Sequence, residues 1–342
     1  MNETSIIPNF LYFMKKYLMT RITGQNRPLF IGFSLTDRCP FHCRYCSFSN
    51  RTQDILSTVH VKHVLDTLTG LGTMAIQFTG GEPCTREDLD TLISYAKGKG
   101  LRVLLSTSGF GLKEHAEVLR SVDSVQISLD GPKDVHDYLR GDGSFDWALS
   151  AAKILKEHGR HFDFHCVITK QLIPCVKDLL AIAEDFDTSI IFQPLWEKGM
   201  VDRSRIEDLI PSRDAFGELI DLLIGLQEGK TPVGNAPYTL KVLKKFYAQK
   251  PTRKNCVAGR IYFRVACNGV MIPCIRHGFP LDPSWGINLI DSKTEKVREY
   301  LRSLKTPPCI DCLQNSIIEL NAIYHFNPQM LGRALDILKA IR

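Results

Sequence analysis

Between residues 29 and 195 six short apolar runs alternate, across polar loops, with five helix-length segments that carry one apolar face. The runs lie at 33–35, 75–78, 103–105, 125–129, 164–168 and 190–192. The helix-like segments lie at 59–71, 89–97, 113–119, 147–158 and 176–186. In the first of these Val64, Leu65 and Leu68 mark the face that covers a sheet. Strands alternating with helices over short loops make a parallel sheet with helices outside it. Six units predict an α/β fold, a partial (β/α)6 TIM-like barrel, in which chemistry belongs at the C-terminal ends of the strands.

The unusual residues fall at those ends. Cys39, Cys43 and Cys46, spaced CxxxCxxC, follow the first run. Gly80, Gly81, Glu82 and Pro83 follow the second, Thr107-Ser108-Gly109 the third and Asp130-Gly131-Pro132 the fourth. Three thiolates within eight residues can take three corners of an iron–sulfur cubane and leave one iron open, whereas ferredoxin-type clusters take four cysteines. Zinc, with His42 or His63 as a fourth ligand, is the competing reading.

CxxxCxxC after the first strand, Tyr45 just before the third cysteine and Gly-Gly-Glu-Pro after the second strand resemble the radical S-adenosylmethionine (SAM) superfamily. The resemblance covers residues 30 to 196. It implies a [4Fe–4S] cluster on Cys39, Cys43 and Cys46 whose open iron chelates SAM, and a 5′-deoxyadenosyl radical that takes a hydrogen atom from the substrate. It also implies positions around SAM. Gly80 and Gly81 admit its methionyl end, Glu82 faces its ammonium, and Pro83 fixes the turn. Tyr45 lies beside the adenine, and Ser128 and Arg140 lie near the carboxylate or ribose. A surface salt bridge is the plainer reading of Arg140. Ser108 stands where the family more often has Asn, and Cys84 where it has an aliphatic residue.

Eleven cysteines, an odd and unevenly spaced number, point to metal binding in a reducing, cytoplasmic setting and not to a disulfide framework. Cys256, Cys274, Cys309 and Cys312 form a second group, with 17, 34 and 2 residues between successive members. With Gly269 ahead of Cys274, this group resembles the auxiliary-cluster region of the SPASM/twitch subfamilies. The resemblance implies an auxiliary [4Fe–4S] cluster in a small C-terminal domain; a four-cysteine zinc site is the competing reading. Cys267 reads as a packed hairpin residue, as a hydrogen-atom donor or as an alternative cluster ligand, Cys166 and Cys175 as structural. The expected organisation is an N-terminal amphipathic helical extension over 1–28, a core barrel over 29–250 and the auxiliary domain over 251–342.

The expected reaction is oxidation of a sugar- or aminocyclitol-like molecule, with the auxiliary cluster accepting the second electron. Maturation of a ribosomally made peptide is the alternative, although only some 28 residues precede the barrel; lipid modification comes third. A flavodoxin- or ferredoxin-type donor is the implied partner. The formal charge of +6 without a Lys/Arg run argues against nucleic acid. Lys15, Lys16 and Arg21 interrupt the apolar N-terminal stretch, so it is too polar to span a bilayer and reads as a helix on the protein's own body or at a membrane surface. Trp196, Glu197, Arg203 and Arg205 follow the last run as candidate pocket residues.

Overall fold

A computed structural model describes residues 6–46, 56–195, 204, 206–227, 231–248, 256–274, 285–305 and 314–330, with side chains from Lys15 onward. Cys309, Cys312, Trp196, Glu197, Arg203 and Arg205 lie outside the described residues.

The six expected strands are present: β1 (Phe30–Thr36), β2 (Ala75–Gly80), β3 (Arg102–Thr107), β4 (Ser124–Ser128), β5 (Phe162–Ile168) and β6 (Ser189–Pro194). All pair in parallel and in sequence order. Helices α2 (Thr58–Leu71), α3 (Leu89–Gly98), α4 (Lys133–Arg140), α5 (Ser144–Glu157) and α6 (Val176–Asp185) follow the strands. Alternate strand residues, among them Phe33, Ile76, Phe78, Leu105, Phe164 and Phe192, join helix residues such as Leu65, Leu92 and Leu155 in one buried core. Each large side chain buried there contributes roughly 1.5–3 kcal/mol. Beyond β6 lie α7 (Arg213–Leu226) and α8 (Pro237–Tyr247), which pack on one another.

Two details differ from the sequence reading. Residues 113–119 are not an α-helix; two 3₁₀ turns, Leu112–His115 and Val118–Ser121, occupy this stretch. Leu112 and His115 are both buried, a spacing of three that a 3₁₀ turn places on one side. Helix α4 was not anticipated, because it buries only His136, Leu139 and Arg140.

The chain past residue 250 continues the same sheet. Strand β7 (Tyr262–Val265) pairs in parallel with β1, opposite β2, and β8 (Val270–Ile272) and β9 (Ile287–Asn288) add antiparallel strands. The order is therefore β6-β5-β4-β3-β2-β1-β7-β8-β9, an open, partial barrel. Helix α9 (Thr294–Ser303) precedes α10 (Asn315–Tyr324), whose N-terminus bridges the two sides of the opening. There the Asn315 side-chain amide donates to Phe192 O on β6 at 2.6 Å, and the Gln314 amide donates to Tyr262 Oη on β7 at 3.3 Å.

The N-terminal helix α1 (Ile6–Thr23) lies on the protein's own body. Tyr17 Oη donates to Ile323 O at 2.5 Å and Arg21 Nη1 to Tyr324 O at 2.6 Å, both at the end of α10. No helix among the described residues is long and apolar enough to cross a membrane.

Candidate active site

The cysteine loop leaves β1 through Thr36, Asp37 and Arg38, and the Gly80-Gly81-Glu82 turn is locked against that exit. Gly81 N donates to Thr36 O and Glu82 N to Arg38 O, each at 2.7 Å. The two backbones approach so closely that only glycine fits. A Cβ on Gly80, which holds φ +134°, would stand 2.3 Å from Thr36 O, and one on Gly81 2.2 Å from Arg38 O. This close approach is one the chain makes with itself.

Glu82 is 1% exposed and takes four donors: Cys84 N at 3.1 Å, Thr107 Oγ1 at 2.8 Å, Ser108 N at 2.7 Å and Ser108 Oγ at 2.5 Å. A carboxylate offers about four lone-pair sites. Glu82 thus braces the ends of β2 and β3. Ser108 thereby acquires a definite role, and Pro83 and Cys84 are buried in the following 3₁₀ turn. The sequence reading passed over Asp37. Its Oδ2 is buried without a hydrogen-bond partner among the described residues, two positions before Cys39.

The loop itself turns through Cys46 N to Cys43 O at 3.0 Å and is tied to α4 by Arg44 N to Leu139 O at 2.9 Å. Cys43 is buried, and Cys39 and Cys46 are half-buried. Burial pushes the Cys39 thiol up to about 11 and Cys43 up to about 12, the neighbouring cysteines and acids adding to the rise. Such thiols ionise only against a strong cationic partner, which bound metal provides. Among the described residues no three of His, Cys, Asp and Glu close on one ion. Three soft sulfurs on one loop suit a cluster in which each cysteine takes a different iron.

Asp130 organises the other wall of the mouth. It is fully buried. Its Oδ2 receives Tyr45 Oη and, at 2.5 Å, Arg140 Nε; its Oδ1 receives Val167 N at 2.8 Å; and its own N–H donates to His136 Nδ1 at 2.9 Å. Burial opposes its ionisation, but the Arg140 guanidinium and His136 outweigh that and hold its carboxyl below the usual range. Arg140 is therefore half of a buried ion pair, not a surface bridge, and its Cζ lies 5.6 Å from the Tyr45 ring centre. Tyr45, expected beside adenine, turns its hydroxyl onto Asp130. Ser128 ends β4 in register with His165 on β5.

Of the second cysteine group, Cys256 and Cys274 are brought into one buried cluster with Tyr17, Tyr262, Ile317 and Tyr324. The segment carrying Cys309 and Cys312 leads directly into α10, which supplies two of those residues. Cys267 is 2% exposed in the β7–β8 turn, at the end of the sheet where the Cys39 loop lies.

Residues 33–181 match the model of the Radical SAM superfamily. The AdoMet-dependent heme synthase of Oleidesulfovibrio alaskensis is 34% identical over 163 residues, 45% of this chain and 42% of that protein. The mycofactocin maturase MftC of Mycolicibacterium smegmatis is 31% identical over 208 residues, 59% of this chain and 53% of that protein. The chain thus spans about half the length of the curated relatives it matches. Streptococcus suis SuiB bound to S-adenosylmethionine shares the fold, with a TM-score of 0.64 at 17% identity over 89% of this chain and 76% of SuiB.

Proposed function

We propose that this chain, whose residues 33–181 match the Radical SAM superfamily model, is a radical SAM enzyme that oxidises a polar substrate held inside the barrel, with a second cluster as electron acceptor. When bound, the first cluster and SAM supply a one-electron cleavage that ends in removal of a hydrogen atom from the substrate. The chain's own residues place that event. Cys39, Cys43 and Cys46 hold the cluster, on a loop fixed from below by the Gly80–Glu82 turn and from the side by Arg44 N. Glu82 is the motif's acceptor for the SAM ammonium, and Asp37, whose Oδ2 has no partner among the described residues, is a second candidate. Tyr45, beside the adenine, and Arg140, near the carboxylate or ribose, are set by Asp130, and Ser128 lies near the carboxylate or ribose at the end of β4.

One observation carries this reading: the cysteine loop, the Gly80–Glu82 turn, Ser108 and Asp130 follow the C-terminal ends of four adjacent parallel strands, β1 to β4. The substrate side is polar. Gln77 Nε2 donates to Ser106 Oγ at 2.7 Å and to Gln126 Oε1 at 2.9 Å, across three neighbouring strands on the face turned from the helices. This wall counts against a lipid. A peptide is the substrate class best supported, since the relatives include a maturase and SuiB has been solved with its precursor peptide. Dehydrogenation of a sugar-like molecule fits the same polar wall but has no counterpart among the relatives cited. The second cluster is assigned to Cys256, Cys274, Cys309 and Cys312, the first two already gathered in one place.

Two cubanes require about eight irons per chain. Anaerobically reconstituted protein should carry that number. The variant with Cys39, Cys43 and Cys46 all replaced by Ala should keep about four, with the spectrum of the remaining cluster intact. Four irons in the parent, with zinc bound in the C-terminal region, would remove the electron-acceptor role.

A further inference from the structure

The polar face of the barrel carries a guanidinium that the reaction outlined above does not use. Arg264 lies on β7 opposite Gly32 of β1 in parallel register. Its strand neighbours Phe263 and Val265 belong to the core beneath the helices, so Arg264 faces the other way, into the barrel. Gly32 is what lets it lie across β1. A Cβ there would meet Arg264 Nη1 at 3.3 Å and Tyr262 Oη at 3.1 Å. From this position Arg264 Nη2 donates to Ser34 Oγ at 3.3 Å, a long and neutral contact. Among the described residues Arg264 has no ion-pair partner.

A half-buried arginine without a carboxylate is unusual, because partial burial weakens its hydration and leaves most of its five donors unmet. The other charges on this face lie farther round the barrel: Arg102 on β3 is paired with Asp123 at 3.0 Å, and Asp163 on β5, five strands away, accepts from Ser189 Oγ at 2.5 Å. Ser34, the contact of Arg264, is five residues ahead of Cys39 on the strand that leads into the cysteine loop. At about 3.3 Å per residue, Ser34 lies roughly 7 Å below the end of β1. A group held there would sit under the reacting end of the barrel without touching the loop.

We propose that Arg264 docks a carboxylate of the substrate inside the barrel, and so selects an acidic substrate. This rests on the reading of the barrel interior as the substrate chamber. A planar fork over a glycine gap matches a carboxylate by two parallel hydrogen bonds, and Ser34 and Tyr262 border the gap with hydroxyls. The carboxylate can belong to a free small acid, to a peptide C-terminus or to an acidic side chain. These sources share the chemistry and separate in the test.

The experiment uses reconstituted holoenzyme with SAM bound and follows modification of Arg264 by phenylglyoxal, read by peptide mass spectrometry. The probes are glutarate, its neutral isostere glutaramide, and one glutamate-containing hexapeptide prepared as acid, as C-terminal amide and with Gln for Glu. Glutarate should slow labelling of Arg264 while glutaramide does not. Whichever change abolishes protection by the peptide identifies the carboxylate that binds. In Arg264→Gln, affinity for the protective peptide should fall about tenfold, with partial recovery in Arg264→Lys, while SAM affinity and iron content stay at parent values. Equal protection by glutaramide, no protection by any acid, or loss of SAM binding in both variants would overturn the assignment. None of those results alters the iron count of the parent, so failure here is distinct from failure of the function proposed above.

Discussion

Replacing Asp130 by Ala is expected to destabilise the protein by about 3–5 kcal/mol, because it leaves the Arg140 charge buried without a partner. The substitution also strips acceptors from Tyr45 Oη and Val167 N, and a buried donor left unmet costs about 1–3 kcal/mol. The comparison belongs near pH 8, since burial holds His136 and His165 down to about 4. Below an unfolded value of about 6.5 the unfolded chain would take up protons that the folded chain does not, confounding the measurement. Asp130→Asn keeps the shape and an acceptor while losing the charge, and should fall between parent and Asp130→Ala. Denaturant unfolding of the three proteins measures the effect. A loss under about 1 kcal/mol in Asp130→Ala would mean that the Tyr45–Asp130–Arg140 group does not hold the α4 wall.

The second large effect is steric. Gly80→Ala combines φ +134° with a backbone oxygen 2.3 Å from the new Cβ, and Gly81→Ala sets a Cβ 2.2 Å from Arg38 O. Neither obstacle is a side chain that can swing away. Each substitution should cost roughly 3 kcal/mol or more and should displace the exit from β1, lowering iron retention at the Cys39 loop. Gly217→Ala is the matched control, since nothing lies within 4 Å of its Cβ position in α7. Within a helix that change should stabilise by about 0.5–1 kcal/mol. Melting curves and iron analysis of the three variants test this, and normal stability with full iron in both Gly80→Ala and Gly81→Ala would refute the locked turn.

The strands were legible in the sequence because parallel strands buried on one face by helices read as apolar runs, and these runs recur at regular intervals. The ends of those strands were legible because glycines, cysteines and acids interrupt the pattern there. Helix α4 escaped notice: Lys133, Asp134 and Asp137 make its sequence read as a loop, and its inward face is two polar residues around Leu139. The pairing of β7 with β1 has no local signal, since it joins segments more than 200 residues apart. Asp130 and Glu82 show a different limit. Asp130 takes its partners from the cysteine loop, α4 and β5, and Glu82 from its own turn and the end of β3, so the sequence displays the acid but not what satisfies it. Arg264 was invisible for the same reason: its meaning depends on Gly32 standing beside it.

Cleavage of SAM tests the central claim most directly. Reconstituted protein, reduced with dithionite under anaerobic conditions, is incubated with SAM beside the variant in which Cys39, Cys43 and Cys46 are all Ala. The parent should release 5′-deoxyadenosine and methionine in equal amounts, and the variant should release none above background while remaining folded by circular dichroism. Undiminished 5′-deoxyadenosine formation by the folded variant would contradict the assignment of the cluster to this loop, and with it the radical SAM account of the chain.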